Sequence, residues 1–459
     1  MYQKPKACVV TFGCQQNESD SEKIKGILSS LGYDIIAEPS AGNSTLRTAR
    51  NRSEYIENSP FKDCSLIIIN TCAVREHAEL KALSRTGQLK HFKEANKDIL
   101  IGVCGCVVEQ PHAADKLAKS FSYVDFMFGT KSLYRLPEIL IKAKQGGNKL
   151  FLDTDNVPEN LPVLRENPFK AYVSVMYGCD NFCSYCVVPY VRGRERSRGK
   201  AMILDEVRGL IDSNYREITL LGQNVNSYNG NGEDSFTDLL ESIVNLRGDF
   251  RVRFMTSHPK DVPDSLIDLI GSTDKIAKHF HLPAQSGSDS VLSAMNRRYT
   301  RDYYFGRLAK LRESAPDIAV TSDIIVGFPA ETAADFEDTL TLIEEARFDG
   351  IFSFIYSKRK GTPAESMADI TSKEKKSERF ARLIKTQDKI SEAINKSHIG
   401  KTERVLVESD TSARTSGNKS VTISDGNAYI GCFREARITD ANLRGLFGEI
   451  SAGKNDIAH

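Results

Sequence analysis

The stretch "AYVSVMYGCDNFCSYC" (171–186) joins a strand-like run to three cysteines, Cys179, Cys183 and Cys186, spaced C-x3-C-x2-C. A short apolar run stopped by a glycine reads as a buried strand. Five similar runs follow: "EITLLG" (217–222), "RVRFMT" (251–256), "KHFHL" (278–282), "IAVTSDIIVG" (318–327) and "GIFSFIY" (350–356). Helical patterns separate them, as at 202–214 and 333–348. Six β/α repeats of this kind predict a partial parallel (β/α)6 barrel of the TIM type. Ligands gather at the C-terminal strand ends of such a barrel, so the cysteine loop falls on the functional rim.

Working outward, the helical run 372–398 closes this region, which we bound at 169–398. From 399 to 459 the pattern changes to short strands with Gly, Asn and Asp turns, predicting a small OB-like β-barrel. Upstream, a polar linker at 146–168 contains three prolines. The first 145 residues alternate strands at 7–12, 64–70, 98–104 and 123–129 with helices at 17–32 and 75–96, predicting a doubly wound α/β domain. The whole is an α/β multidomain chain. Residues 38–60 are polar and aperiodic and read as a surface insertion or mobile loop.

The 459 residues carry 62 basic and 61 acidic side chains, so no global field favours nucleic acid, and any such binding must come from local patches. The N-terminus shows no secretory pattern and no apolar run is long enough for a membrane span, which predicts a cytoplasmic protein without a membrane partner. Ten cysteines in that setting point to metal or redox chemistry rather than disulfides. Trp is absent, leaving Tyr, Phe, His and Arg for stacking on bases.

Three clustered thiols suit a 4Fe–4S cubane whose fourth iron stays open for a small molecule. A zinc knuckle would need a fourth ligand, and none of His or Cys follows Cys186 before His258. Three further cysteines, Cys14, Cys72 and Cys106, each lie just beyond a predicted strand of the first domain. Strand C-termini of one parallel sheet share an edge, so these loops are expected to converge on a second three-thiolate site. Cys8, Cys64 and Cys432 read as buried apolar residues. Strand alternation puts Cys104 and Cys106 on one face, and Cys106 is preferred because Cys104 lies within the strand.

The spacing C-x3-C-x-aromatic-C, with Tyr185 as the aromatic, resembles the radical S-adenosylmethionine (SAM) enzymes. With two triads, and with "TFGCQQNESDSE", "NTCAVREHAE", "YGCDNFCSYCVVPYVRGRERSR", "LLGQNVNSY", "MTSHPKD", "HLPAQSGSDSVL" and "DIIVGFPAET", nearly the whole chain resembles the methylthiotransferase family of those enzymes. Its C-terminal barrel resembles the family's TRAM domain, an RNA-binding module. The segment 38–60 looks longer than is usual there. The resemblance implies two 4Fe–4S clusters and two uses of SAM. One SAM donates a methyl group to sulfur on the first cluster, and the other yields a radical at the cluster of Cys179, Cys183 and Cys186. Both open irons are then expected to face one cavity.

Within the family the motifs are most similar to the branch that adds a methylthio group to carbon 2 of isopentenyl adenosine beside the tRNA anticodon. Relatives acting on threonylcarbamoyl adenosine in tRNA or on a ribosomal protein aspartate are the alternatives, with a zinc-bound, non-enzymatic RNA-binding protein more remote. The implied partners are the tRNA anticodon stem-loop and a small electron donor such as flavodoxin or ferredoxin, the protein itself acting as a monomer. For SAM, the expected contacts are Tyr185, Gln223, Asn224, Ser322, Asp323, Gly327 and Arg298. For the substrate they are Gln285 and Ser286, with Gly287 permitting close backbone approach, and the strip Arg192, Arg194, Arg196 and Arg198 on RNA phosphates. One of those arginines could instead pair with Glu195. Basic residues of the terminal barrel, Arg404, Arg414, Lys419, Arg434, Arg437 and Arg444, are expected on its RNA face.

Overall fold

The computed structural model describes residues 4–38, 56–74, 76–147, 149–153, 159–230 and 232–451, so most of the insertion expected at 38–60 lies outside the described residues. The chain divides into two units. The first is Met1–Glu166 with Tyr177–Asp180 and Val187–Arg196; the second is Asn167–Met176, Asn181–Cys186 and Ser197–His459. Residues on both sides of the 181–186 loop thus belong with the first unit, although the loop follows a strand of the second.

In the first unit, runs of Val and Ile form a parallel sheet: β1 (Lys6–Thr11), β2 (Asp34–Ile36), β3 (Cys64–Thr71), β4 (Leu100–Gly105), β5 (Phe126–Phe128) and β6 (Leu150–Phe151), in the order β2-β1-β3-β4-β5-β6. Both faces carry apolar clusters, as a doubly wound sheet requires. The strand order reverses between β1 and β3, and that switch point is where such sheets open a crevice beyond the strand ends. The two short strands β2 and β6 were not legible as apolar runs.

Helix α1 (Gln15–Ser30) begins two residues before the expected position, with Cys14 at its N-cap. Its apolar side, Ile24, Ile27 and Leu28, packs on the sheet, while Leu31 stays exposed. Its polar side is buried as well, and each buried charge there has a partner. Asp20 pairs with Arg192, Glu22 with Arg165, and Lys25 with Glu166, while Lys23 donates to the Tyr177 hydroxyl. The helix expected at 75–96 divides into α2 (Glu76–Gln88) and α3 (Lys90–Ala95).

In the second unit the six predicted barrel strands appear as β7 (Lys170–Ser174), β8 (Glu217–Leu221), β9 (Arg251–Phe254), β10 (His279–His281), β11 (Ala319–Val326) and β12 (Gly350–Ile355). They pair in chain order, all parallel, with a single bridge, Val252 to Ile276, joining the two halves. β12 is an edge strand, with Phe352 and Ile355 exposed. The long helix Lys373–Lys396 packs on it.

The C-terminal strands β13 (Thr402–Ser409), β14 (Ser412–Thr415), β15 (Ser420–Thr422), β16 (Phe433–Asn442) and β17 (Gly445–Ile450) close into a five-stranded barrel. It docks at the N-terminal ends of the parallel strands. Glu217 accepts from Arg251 and Arg253, and Arg253 also donates to the carbonyls of Thr415 and Ser416 at 2.8 and 2.9 Å. Lys170 bonds to Glu408 at 2.6 Å, and the Lys278 amide donates to Ser416 Oγ.

Candidate active site

Cys14, Cys72 and Cys106 leave the sheet just past β1, β3 and β4, so the strands at the switch point bring three thiols together. A buried carboxamide pair holds these loops. Asn17 donates to Asn70 Oδ1 and to the Thr71 carbonyl, and Asn70 donates back to the Asn17 carbonyl at 2.9 Å. Two glycines make the approach possible. Gly13 has φ +148°, and a Cβ there would stand 2.7 Å from Cys72 Cβ. Gly105 has φ +95°, and its Cβ would meet the Thr71 carbonyl at 2.4 Å. That turn also carries Cys106 to the sheet face opposite Cys104, correcting the expectation from strand alternation that both share one face.

The thiols interact. Cys72 donates to Cys14, which with help from Arg192 lowers the Cys14 thiol to about 6, while the donor Cys72 is raised. Arg192 is buried, adjoins Cys106 and Cys14, and lies 2.9 Å from Asp20 Oδ2. By contrast Cys8 and Cys64 are buried with their thiols pushed up to about 12 by desolvation, the behaviour of apolar core residues. Cys432 is half-buried.

Gly178 and Cys179 run beside residues 193–195: the Cys179 amide donates to the Gly193 carbonyl at 3.2 Å, and Asp180 and Glu195 exchange backbone-to-carboxylate bonds at 3.1 Å. Arg194 pairs with Asp180 at 2.9 Å and stays exposed. Arg196 is half-buried and donates to the Arg192 carbonyl. The expected phosphate-binding strip is therefore corrected. Arg192 serves the first thiol group. Arg198 is buried, bonded to Glu206 and to the Ser174 carbonyl. Arg192 is the αR cap of the short helix Val188–Val191 and Gly193 has φ +80°, so the extended alternation that would have put all four on one side is broken at its start.

In the second unit, backbone bonds pin the 181–186 loop. Ser184 bonds to the Met295 and Ala294 carbonyls, Ala364 donates to the Ser184 carbonyl, and Asn296 donates to the carbonyls of Asn181 and Phe182. Asn296 and Arg298 both have φ +57°, and this local winding turns Arg297 inward. Its buried guanidinium donates to Cys183 Sγ at 3.4 Å, to the Pro283 carbonyl at 2.9 Å and to the Tyr299 hydroxyl at 3.1 Å. Arg298, the expected cofactor contact, is exposed and donates only weakly to Asn296 at 3.4 Å. Arg297 is thus a residue that sequence reasoning missed; only the adjacent arginine pair hinted at it. Tyr185 packs beside Met295, Phe328 and Tyr356.

Ser322 and Ser286, two further expected contacts, are engaged within the scaffold. Ser322 is fully buried, donating to the Leu282 carbonyl and accepting from the Ala284 amide. Ser286 bonds to Thr339 and Ser288, and a Cβ on Gly287 would strike the Asp338 carbonyl, so this turn packs on the helix Ala333–Ala346. The space beside Gly327 is taken by the Lys376 side chain. Gln285 is buried with φ +71°, its amide and carbonyl bridging to β11. Asp323 is partly exposed and lies 3.6 Å from His281. Gln223 is half-buried, and Asn224 is buried and donates to Asp261 at 2.7 Å.

In the terminal barrel Arg404, Arg414 and Lys419, expected on the RNA face, are paired with Asp249, Glu408 and Asp349. Arg434 stacks on Tyr429. Arg437 and Arg444 are exposed and form no ion pair among the described residues.

Among the described residues no three His, Cys, Asp or Glu side chains form a ready-made metal-holding group. The donor chemistry still fits iron–sulfur clusters: Arg192 stands against Cys14 and Cys106, and Arg297 against Cys183. Buried cations against thiols suit an anionic cluster, and hydrogen bonds to ligand sulfur are a known control on its properties.

Family models match three parts of the chain: the radical SAM superfamily at 173–343, the uncharacterized protein family UPF0004 at 41–129, and the TRAM domain at 396–451. The chain is 44% identical to the tRNA-2-methylthio-N(6)-dimethylallyladenosine synthase of Acetivibrio thermocellus, covering 96% of this chain and 90% of that protein. It is 43% identical to the synthase of the same name from Carboxydothermus hydrogenoformans, covering 96% and 98%. Among solved structures, the radical SAM methyltransferase TsrM from Kitasatospora setae, with cobalamin and a 4Fe–4S cluster, aligns with a TM-score of 0.57 at 12% identity over 79% of this chain and 77% of that one. The cobalamin-dependent radical SAM enzyme OxsB gives 0.54 at 13% identity, over 84% and 56%. These likenesses concern the fold.

Proposed function

The chain belongs to the family of the tRNA-2-methylthio-N(6)-dimethylallyladenosine synthases, and we propose that it inserts a methylthio group at carbon 2 of an isopentenylated adenosine beside the tRNA anticodon. SAM and an iron–sulfur cluster come with its radical SAM domain; the number of clusters, two, is our reading. When bound, these groups supply an organic radical and the sulfur to be transferred.

The chain's own residues divide the work. Cys14, Cys72 and Cys106 hold one cluster, with Asn17 and Asn70 fixing their loops and Arg192 compensating its charge. Cys179, Cys183 and Cys186 hold the other, with Arg297 orienting the Cys183 sulfur. Arg437 and Arg444 contribute to RNA binding on the terminal barrel, and Arg194 meets phosphate near the active site. A small electron donor of the flavodoxin or ferredoxin kind reduces the protein, which acts as a monomer. No described helix is long and apolar enough to cross a membrane.

The observation that carries this reading is the convergence of Cys14, Cys72 and Cys106 at one sheet edge beside a buried guanidinium. An isolated radical SAM barrel would have no use for it. Anaerobic reconstitution tests the division: the wild type should load about eight iron atoms, four per cubane. The variant Cys14→Ala/Cys72→Ala/Cys106→Ala should load about half. Equal loading of the two would overturn the assignment.

A further inference from the structure

Two neighbouring rim loops carry polar atoms that no protein group satisfies. One follows β8 and includes Asn224 and Asn226; the other follows β9 and includes Ser257 and His258. The Val225 amide donates to the Thr256 carbonyl at 3.0 Å, and the Thr256 hydroxyl bonds to the Gly222 carbonyl, so the loops are tied together. Asn224, Ser257 and His258 are 1%, 6% and 4% exposed. Nevertheless Asn224 Oδ1, both amide atoms of Asn226, Ser257 Oγ and His258 Nε2 are buried and lack a hydrogen-bond partner. Buried polar atoms are ordinarily paired, and five orphans on two joined loops call for a ligand.

The orphan atoms define its chemistry. The Asn224 amide nitrogen is fixed on Asp261 Oδ2, which leaves its oxygen as an acceptor. His258 Nδ1 accepts from the Lys260 amide, so in the neutral ring Nε2 carries the proton and donates. Burial, with Arg297 and Lys260 nearby, keeps that ring neutral. The Asn226 carboxamide offers one donor and one acceptor side by side. No orphan is charged; of the nearby cations, Lys260 is engaged with Asp261 and Arg297 with Cys183, Pro283 and Tyr299, while Arg298 is exposed and donates to Asn296 at 3.4 Å. A phosphate or carboxylate is poorly served by such a set. A planar group with alternating donors and acceptors is well served, and a free carboxamide matches the N6/N7 edge of adenine.

We propose that Asn224, Asn226, Ser257 and His258 form a subsite for an adenosine moiety at the ends of β8 and β9. The inference rests on the proposed function, which offers two adenosines: that of SAM and that of the substrate RNA. The edge of the His258 ring lies against Tyr299, 5.5 Å between centroids, and Tyr299 accepts from Arg297, which places this subsite one side chain away from the Cys183 contact.

The test uses the reconstituted holoprotein and measures two dissociation constants, for SAM and for an anticodon stem-loop carrying isopentenyl adenosine. Asn226→Ala and Ser257→Ala should each weaken at least one ligand by about tenfold, the range of a lost hydrogen bond. Weakening confined to SAM assigns the cofactor's adenosine; weakening confined to RNA assigns the substrate's. The thermal midpoint should hold, because these atoms bond to no protein group. If the wild type binds both ligands and the variants bind them equally well, or if the midpoint falls, the subsite is refuted and the orphans serve water or the fold. If the wild type binds neither, the proposed function itself fails.

Discussion

Replacing Arg297 by Met removes the guanidinium from Cys183 while keeping most of the side chain's volume. At 3.4 Å, a unit charge pair interacts by about 5 kcal/mol at an effective dielectric constant near 20. Only part of an added electron reaches this sulfur and its iron. With roughly a quarter of the charge there, the guanidinium favours the reduced cluster by about 1.2 kcal/mol, or about 50 mV for one electron. The variant cluster should therefore be harder to reduce by that amount, and Arg297→Lys should recover part of the shift. An EPR-monitored redox titration reads it cleanly in a Cys14→Ala/Cys72→Ala/Cys106→Ala background, where only the barrel cluster contributes. A properly folded Arg297→Met protein with an unchanged midpoint potential would show that the Arg297–Cys183 contact has no electrostatic role.

Cys14→Ala should leave SAM cleavage largely intact but stop methylthio insertion, whereas Cys183→Ala should abolish cleavage; product analysis by mass spectrometry separates the two, and equal loss of cleavage would deny distinct roles. Glu217 is 2% exposed between Arg251 and Arg253, and Glu217→Ala should cost about 3–5 kcal/mol in denaturant unfolding by leaving buried charge unpaired. Burial pushes the Glu217 carboxyl up, yet Arg253, Arg251 and Lys170 together hold it at about 2, below its ordinary 4.5. Its contribution is thus complete above pH 4.5 and lost as pH falls toward 2, so the wild type should lose more stability across that window than Glu217→Gln. Arg437→Ala/Arg444→Ala should weaken tRNA binding and flatten its dependence on salt without altering SAM cleavage, as a filter-binding salt series would show.

The layers of the fold were legible because parallel strands buried on both faces are nearly continuous apolar runs, and their ends could be read from Gly178, Gly222 and Gly327. The thiols were legible because each follows such a run. What escaped was packing at a distance. Helix α1 reads as amphipathic, but residues 164–166, Tyr177 and Arg192 cover its polar side too, and nothing local in 15–30 announces those partners. Arg192 and Arg198 looked like parts of a basic strip, yet the carboxylates of buried Asp20 and half-buried Glu206 claim them. Arg297 rather than Arg298 meets the thiol because Asn296 and Arg298 adopt positive φ, a winding that periodicity arguments cannot see. Ser322 and Ser286 sit at rim positions but point into the scaffold, since their hydroxyls satisfy backbone groups and neighbouring side chains that would otherwise be orphaned.

The central claim, that this chain places a methylthio group on isopentenyl adenosine in tRNA, is tested most directly by mass analysis of tRNA nucleosides from cells lacking it. The account predicts loss of the methylthio isopentenyl nucleoside with accumulation of its unthiolated precursor, restored by the wild-type chain and not by Cys14→Ala. Persistence of the methylthio nucleoside in the deletion strain would contradict it.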